Sequence, residues 1–433
     1  MGGMFETLRN AWKIPDLRRK ILFTILMLLI FRLGSYIPVP GLSRTALEEL
    51  VQRGGSLFGF MDILSGGAFK SATIFAMSIT PYVNSSIIMQ LLTVAIPKLE
   101  QLAKEGEEGR KLIAQYTRYG TVVLAFLQAL GLYFGLKSAI VTTNGQVLSF
   151  LTVTLSFTAG TAFLMWLGEQ ITEFGIGNGI SLLIFAGIVS RGPMGVQSLY
   201  TVYQNAQSKG NGLMAVLSIA IVLLVFVAVI VAVVWVQQAE RRIPVQYAKR
   251  VVGRKVMGGQ STHIPLKVNL AGVIPIIFAM SIMAFPSTII SLVAPNSTNP
   301  VAVWFKNAQG TIPYALIGAV LVMFFTFFYT VIVINPVEMA NNMKKNGGFV
   351  PGIRPGKPTS DYISKVLFRI TWFGALFLAL IQFFPSILQL VFRDIGNVWF
   401  GGTAVLILVG VAIDTVKQIE SQMLMRHYKG FLE

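Results

Sequence analysis

The chain has 433 residues, 54% of them hydrophobic and only 12% charged, and its mean hydropathy is +0.68. Soluble domains carry about 25% charged residues, so this deficit alone assigns a polytopic membrane protein. The absence of cysteine excludes disulfides, iron–sulfur clusters and Cys-ligated zinc, and the formal charge of +17 is first explained by topological bias rather than by nucleic acid.

Residues 1–20 form a polar, amphipathic lead-in. The first apolar run, 21–37, continues through Phe31-Arg32-Leu33-Gly34 into Pro38-Val39-Pro40 without a small-residue cleavage pattern, so it reads as a span and not a removable signal. Arg32 lies near its outer end, where it could snorkel to the interface. An unusual stretch follows. Ser56 is a good helix N-cap and Gly66-Gly67 a good stop for an apolar segment, Leu57, Phe58, Phe60, Met61, Ile63 and Leu64, whose one charge is Asp62. About ten helical residues rise ~15 Å, half of the ~30 Å hydrocarbon core. The segment is therefore either a surface turn or a movable stopper tethered to a pore wall. The full-length apolar run Ser71 to Ile96, with Pro81 inside it, comes directly after.

Further runs long enough to cross fall at 119–136, 147–167, 180–191, 213–236, 268–293, 314–334, 370–390 and 398–414. Charge decides whether 57–64 and the short 180–191 count as spans. With the N-terminus taken as cytoplasmic, Lys and Arg number five before Lys20's end, five in 97–118, none in 168–179, seven in 237–267, six in 344–369 and three from Lys417 onward. Promoting 57–64 to a span, or demoting 180–191, destroys this segregation. The positive-inside rule then predicts an all-α polytopic protein of ten spans with both ends cytoplasmic. Its halves are 1–190, containing the short segment within 55–67, and 213–433, joined by an external loop, 191–212. Five spans per half makes any structural repeat an inverted one, although no internal sequence repeat is visible. Pro81, Pro275, Pro286 and Gly401-Gly402 are expected to kink their spans or to be ordinary transmembrane breakers.

No span carries Asp, Glu, Lys or Arg near its centre, which argues against a charge-coupled pump. Asn84, Gln90, Gln128 and Asn269 are amides in apolar runs, of the kind that tie helices together. Ile79, Val83 and Ile87 share a helix face, which spacing alone assigns to lipid or core before any constriction. His263 and His427 lie far apart in presumed loops and neither is assigned a metal or any other role. Gly352-Ile353-Arg354-Pro355-Gly356-Lys357 has the wrong glycine spacing for a phosphate loop, and Pro358 stands where Ser or Thr would hold magnesium. Gly175-Ile176-Gly177-Asn178-Gly179 lacks a preceding strand and is no dinucleotide fingerprint. No enzyme and no cofactor is expected.

Two basic loops are more than connectors. In 237–267, Val, Ile and Tyr alternate with Arg241, Arg242, Arg250, Arg254 and Lys255, which suits a protruding hairpin. In 336–369, Lys344 and Lys345 precede Phe349-Val350-Pro351-Gly352-Ile353-Arg354-Pro355-Gly356, where Pro and Gly stiffen the turn around one guanidinium. The plain alternative is positive-inside charge without a partner.

At these residues the chain closely resembles the SecY family, the channel subunits of the bacterial Sec translocon. The resemblance covers essentially the whole chain. It is carried by that 349–356 run, by Gly168-Glu169-Gln170-Ile171-Thr172-Glu173 with 175–179, by Tyr116-Thr117-Arg118-Tyr119-Gly120, and by Gln260-Ser261-Thr262-His263-Ile264-Pro265-Leu266-Lys267. The resemblance implies an inverted clamshell around an hourglass pore in the plasma membrane. An aliphatic ring would map onto Ile79, Val83, Ile184, Ile277 and Ile407, with Val83 a departure from the Ile often found there. The half-helix 57–67 would be a plug, and a lateral gate between spans two with three and seven with eight would include Thr80, Gln90, Gln128 and Asn269. The basic loops would dock a SecA motor or the ribosome. Partners would be SecE-like and SecG-like small subunits, signal-peptide-bearing substrates and the lipid bilayer. A secondary transporter of a small solute is the competing class.

Overall fold

The computed structural model describes residues 4–47, 62, 65–136, 139–140, 145–208, 212–247, 250–252, 255–257, 261–293, 299–308, 311–391 and 402–429. In chain order the helices of the first half are α1 (Met4–Lys13), α2 (Pro15–Gly34), α3 (Thr80–Ala95), α4 (Pro97–Lys104), α5 (Glu107–Gly135), α6 (Gln146–Phe174), α7 (Gly179–Ser190) and α8 (Gly192–Ser208). Those of the second are α9 (Gly212–Gln238), α10 (Ile274–Val293), α11 (Pro300–Asn307), α12 (Ile312–Val333), α13 (Pro336–Lys345), α14 (Lys357–Val391) and α15 (Gly402–Lys429). Strands β1 (Glu240–Tyr247), β2 (Arg250–Val252), β3 (Lys255–Met257) and β4 (Ser261–Lys267) lie between α9 and α10, and β5 (Gly348–Phe349) follows α13.

Among the described residues, five helical stretches are long and apolar enough to cross a membrane: Gln146–Phe174, Gly179–Thr201, Val216–Gln238, Ile312–Lys345 and Lys357–Ile387. Their outward faces carry bare Leu, Val, Ile, Phe and Trp, for example Leu224, Trp235, Phe324 and Trp372. Such a surface is stable against hydrocarbon and unstable in water.

The run expected to cross at 71–96 is not one helix. Residues 65–79 form consecutive turns, and α3 begins only at Thr80, with Pro81 in its first turn. Proline fits there because it lacks the amide hydrogen that a first turn leaves unused. Ala72 and Ser78 both have φ +53, which no helix tolerates. Hydropathy reported burial correctly and geometry incorrectly, because apolar side chains fill a buried turn as well as a helix. Pro275 likewise starts α10 instead of kinking it, whereas Pro286 does lie inside that helix. The connecting segment 191–212, expected as a loop, carries α8. Helices α5, α6, α14 and α15 all run past the apolar cores that announced them, since helix continues where the sequence turns polar.

The turns at 65–79 are enclosed by protein, with Ala68, Phe69, Ala72, Phe75, Ala76, Met77 and Ile79 all buried. Their backbone is satisfied locally and by the chain after α2: Val39 N donates to Ala72 O at 2.8 Å and Ile74 N to Ile37 O at 3.1 Å. Phe75 stacks between Phe31 of α2 and Phe163 of α6, at centroid distances of 6.1 and 5.9 Å. Glycines make this approach possible. A Cβ on Gly34 would lie 2.1 Å from the Phe75 ring, and one on Gly160 would lie 2.0 Å from the Ile74 carbonyl oxygen.

The α6–α7 turn is built from the 168–179 motif. Gly177 has φ +89, Asn178 caps α7 by accepting from Ser181 N, and Thr172 Oγ1 accepts Gly179 N at 2.9 Å. A Cβ at Gly179 would sit 1.9 Å from the Gly168 carbonyl oxygen. Helix α3 meets α5 through Ser85, whose hydroxyl donates to Thr117 O at 2.8 Å, and α5 meets α6 through the Arg118–Glu169 ion pair, also 2.8 Å. Two of the family-like motifs thus join in one ion pair.

Replacing Gly160 with Ala is expected to cost about 1–3 kcal/mol, because a backbone carbonyl cannot rotate away as a side chain can. A lowered midpoint of thermal unfolding in detergent would show it; an unchanged midpoint would contradict the close approach.

Candidate functional site: an aliphatic constriction and a basic sheet

Four separate parts of the chain converge on one cavity of about 30 Å³, lined by Ser78, Ile79, Thr80, Val83, Ile184, Ile277, Met280, Ser281 and Ile407. This volume admits a water or two and little else. Ile79 is the last residue before α3, Val83 lies one turn into it, and Ile184, Ile277 and Ile407 come from α7, α10 and α15. The five aliphatic residues mapped from the resemblance therefore share one lining. Ile79, Ile184 and Ile407 belong to a buried cluster with Phe31, Phe75, Leu164 and Leu167, and Val83 and Ile277 pack against it. Among the described residues no charged side chain lines the cavity.

Such a wall is hydrophobic and stiff. Of its nine lining residues four are β-branched isoleucines and one is valine, so these five hold a restricted χ1 and their positions follow the backbone. Water gains few hydrogen bonds there, and a narrow apolar constriction empties without needing a charge. Met280 and Ser281 were not foreseen. They lie three and four residues after Ile277, so helical spacing from that residue places them on its face.

The polar residues assigned to a gate, Thr80 and three amides, behave differently from one another. Thr80 lines the cavity. Asn269 is buried, but its amide nitrogen donates to Gly272 O at 3.1 Å, within its own turn and not across helices. Gln128 is half-buried and Gln90 is exposed on α3. The idea that all these amides tie helices together therefore fails for Gln90 and Asn269, because one faces outward and the other closes a local turn. The seam itself is apolar. Helix α10 packs against α3 and α5 on one side and α12 on the other, with Ile87, Ile276, Phe278, Ala279, Val322 and Phe325 in one buried cluster.

Of the 57–64 segment, Leu57, Phe58, Phe60, Met61, Ile63 and Leu64 lie outside the described residues, and Asp62 alone is described. Arg32 does not simply reach for an interface: it donates to Gly66 O at 3.3 Å and to the Tyr36 hydroxyl at 3.0 Å.

The two basic loops form one unit, which neither loop's sequence announced. Strands order β4-β1-β5, with β1 pairing β4 over Glu240↔Lys267 to Gln246↔Ser261, and pairing β5 through Gln246↔Phe349 and Tyr247↔Gly348. Ile243, Val245 and Leu266 from the first loop pack with Met343, Val350, Ile363 and Leu367 from the second and from α14. Gly348 is required beside Tyr247, whose ring would lie 2.9 Å from an added Cβ. On this base stand the exposed Arg241, Lys344, Lys345 and Arg354. Arg354 is held between Gly352 (φ +81) and Gly356 (φ +102), and its carbonyl accepts from Thr359 Oγ1 at 2.8 Å. Arg242 pairs with Glu240 at 2.7 Å, so its charge is partly spent within the strand. Arg250 and Lys255 belong to the β2–β3 hairpin, and Arg254 lies outside the described residues.

A family model described as SecY matches residues 73–416. The chain is 50% identical over 437 residues to the protein translocase subunit SecY of Halalkalibacterium halodurans, covering 99% of this chain and 100% of that relative. Among solved structures it is similar to a SecY whose plug domain stabilises the closed state of the translocation channel, with TM-score 0.64 at 20% identity over 94% of this chain and 92% of that one. It is also similar to Sec61 in the canine ribosome-channel complex from the endoplasmic reticulum, with TM-score 0.59 at 19% identity over 94% and 92% of the two chains. At those identities the structures share the fold alone.

Asn335 caps α13 by accepting from Val337 N at 3.1 Å and Glu338 N at 3.4 Å. Replacing it with Ala is expected to cost about 1 kcal/mol and to speed amide exchange across 336–345, the helix that presents Lys344 and Lys345. Unchanged exchange there would contradict the cap.

Proposed function

The chain belongs to the SecY family, and we propose from that premise that it forms the protein-conducting channel of a translocase in the bacterial plasma membrane. It passes unfolded secretory proteins across and releases apolar segments sideways into lipid, performing no chemistry of its own. The observation that carries this reading is the convergence of Ile79, Val83, Ile184, Ile277 and Ile407, from four parts of the chain, on one uncharged cavity. These five residues are the pore ring. They offer no hydrogen-bond code, so they accept any unfolded sequence, and they dewet when nothing passes.

Ten spans in two inverted halves, 1–190 and 213–433, surround the ring, with both ends cytoplasmic; the segregation of Lys and Arg supports this count. The 57–64 half-helix is the plug, outside the ring. The apolar seam of α10 against α3 and α5 is the lateral gate, flanked by Thr80, Gln90, Gln128 and Asn269. An emerging apolar segment partitions there between pore and lipid by transfer free energy. Small SecE-like and SecG-like subunits cover the exposed flanks.

The β4-β1-β5 sheet is the docking platform for a SecA-like ATPase or the ribosome. Arg241, Lys344, Lys345 and Arg354 stand exposed upon it, with Arg242, Arg250, Arg254 and Lys255 in the same loops. Exposed guanidinium and ammonium groups meet ribosomal RNA phosphates without sequence preference, or carboxylates on a protein motor.

Replacing Ile79, Ile184, Ile277 and Ile407 together with Ser is expected to raise resting ion conductance in planar bilayers well above wild type, because hydroxyls rehydrate the constriction. Deleting 57–64 should raise leak while translocation persists. Arg354→Glu should depress motor-driven export of a reporter at least tenfold, about 1.4 kcal/mol of lost coupling, while the protein remains inserted. Small-solute uptake driven by an ion gradient, without any motor, would sink the channel reading.

A further inference from the structure

Resting on that channel reading, we propose that Met280 is an oxidation site within the constriction, where a peroxide converts its thioether to a sulfoxide and so wets the resting pore. The nine residues lining the cavity are the five aliphatic ones, the hydroxyl-bearing Ser78, Thr80 and Ser281, and Met280. Among the described residues of that lining, only Met280 carries an atom that a mild oxidant attacks.

Exposure singles out this sulfur from its neighbours in the chain. Met280 is half-buried, whereas Met77, next to Ser78, and Met283, nearly one turn further along α10, are 1% and 7% exposed. Hydrogen peroxide is uncharged and takes about the space of two waters, which is what a cavity of about 30 Å³ admits. Met280 also packs against the buried cluster of Ile87, Ile276, Phe278 and Phe325. It therefore belongs both to the constriction and to the seam of α10. An unbranched side chain with three rotatable bonds can turn its sulfur toward either.

The reaction needs no group from the protein beyond the thioether. Its sulfur lone pair attacks one peroxide oxygen, the O–O bond breaks and an S–O bond forms. The departing oxygen leaves as water once it has taken up the proton of the transferred one. Sulfur loses two electrons and the peroxide gains them. The product is a polar, chiral side chain in place of an apolar one. Pressed against Phe278 and Phe325, the new oxygen would be buried without a donor, at a cost in free energy, so the cavity is its favoured side. A water held in such a space needs about two to four polar partners. The sulfoxide oxygen adds one beside Ser78, Thr80 and Ser281. A wall that empties because it is apolar then retains water.

The test uses the full chain with its copurifying subunits in planar bilayers, each variant compared with its own untreated level. Brief hydrogen peroxide is expected to raise wild-type resting conductance several-fold, with one oxygen gained on the Met280 peptide by mass spectrometry. The exposed Met194 reports the oxidant dose. Met280→Leu, a volume-conserving apolar swap, should show no rise on treatment. Met280→Gln, which places a permanent amide oxygen there, should conduct several-fold more than wild type before any peroxide is added. An equal rise in Met280→Leu, no oxygen on Met280 once Met194 is fully oxidised, or wild-type resting conductance in Met280→Gln would each overturn the proposal. A substrate chain stalled in the untreated wild-type protein must open conductance. If it does not, the channel reading itself fails, whereas opening by substrate with no effect of peroxide retires the oxidation site alone.

Discussion

Irregular backbone cannot be left facing hydrocarbon, and the stretch 65–79 is irregular throughout. Much of what surrounds it follows from that constraint. Its amides and carbonyls bond within successive turns and to Ile37 and Val39, its apolar side chains are buried against α2, α5 and α6, and Gly34 and Gly160 give up their side chains so that it can approach. The stretch delivers Ile79 and Val83 to the constriction at one end and Asp62 and Gly66 to Arg191 and Arg32 at the other. Asp62 and the constriction are joined through the turns of 65–79, not by a continuous helix.

Of the five aliphatic lining residues, Ile79, Ile184 and Ile407 sit in the same buried cluster as Leu164, Leu167 and Ile171 of α6 and Leu182, Leu183 and Ile188 of α7, and Val83 and Ile277 pack against it. Dense packing of that kind resists gradual deformation and favours displacement of whole elements. Among the described residues the α10 seam is packed by apolar side chains, and Asn269 satisfies its amide nitrogen within its own turn.

At the basic end, pairing of β1 with both β4 and β5 converts two loops of high charge into one platform. A loop carrying this much positive charge repels itself unless backbone pairing and a core hold it. The cluster around Val245, Leu266, Val350 and Ile363 supplies that core. The same core joins the platform to α13 and α14, and α14 packs along α12.

Composition, charge segregation and motif resemblance sufficed for the class of the molecule, the hairpin in 237–267, the approximate helices and the identity of the aliphatic set. These features are local or additive: hydropathy sums over a window, and a hairpin follows from alternation within its own residues. The break of 71–96 into turns and α3, the union of the two basic loops, and the turning of Arg191 toward Asp62 and of Arg32 toward Gly66 were decided only by tertiary structure. Each depends on which distant backbone or charge lies opposite. Ile79, Val83 and Ile87 illustrate the boundary: their shared face was legible from spacing, yet Ile79 and Val83 line the cavity with residues of α7, α10 and α15, whereas Ile87 packs into the cluster of α10 and α12.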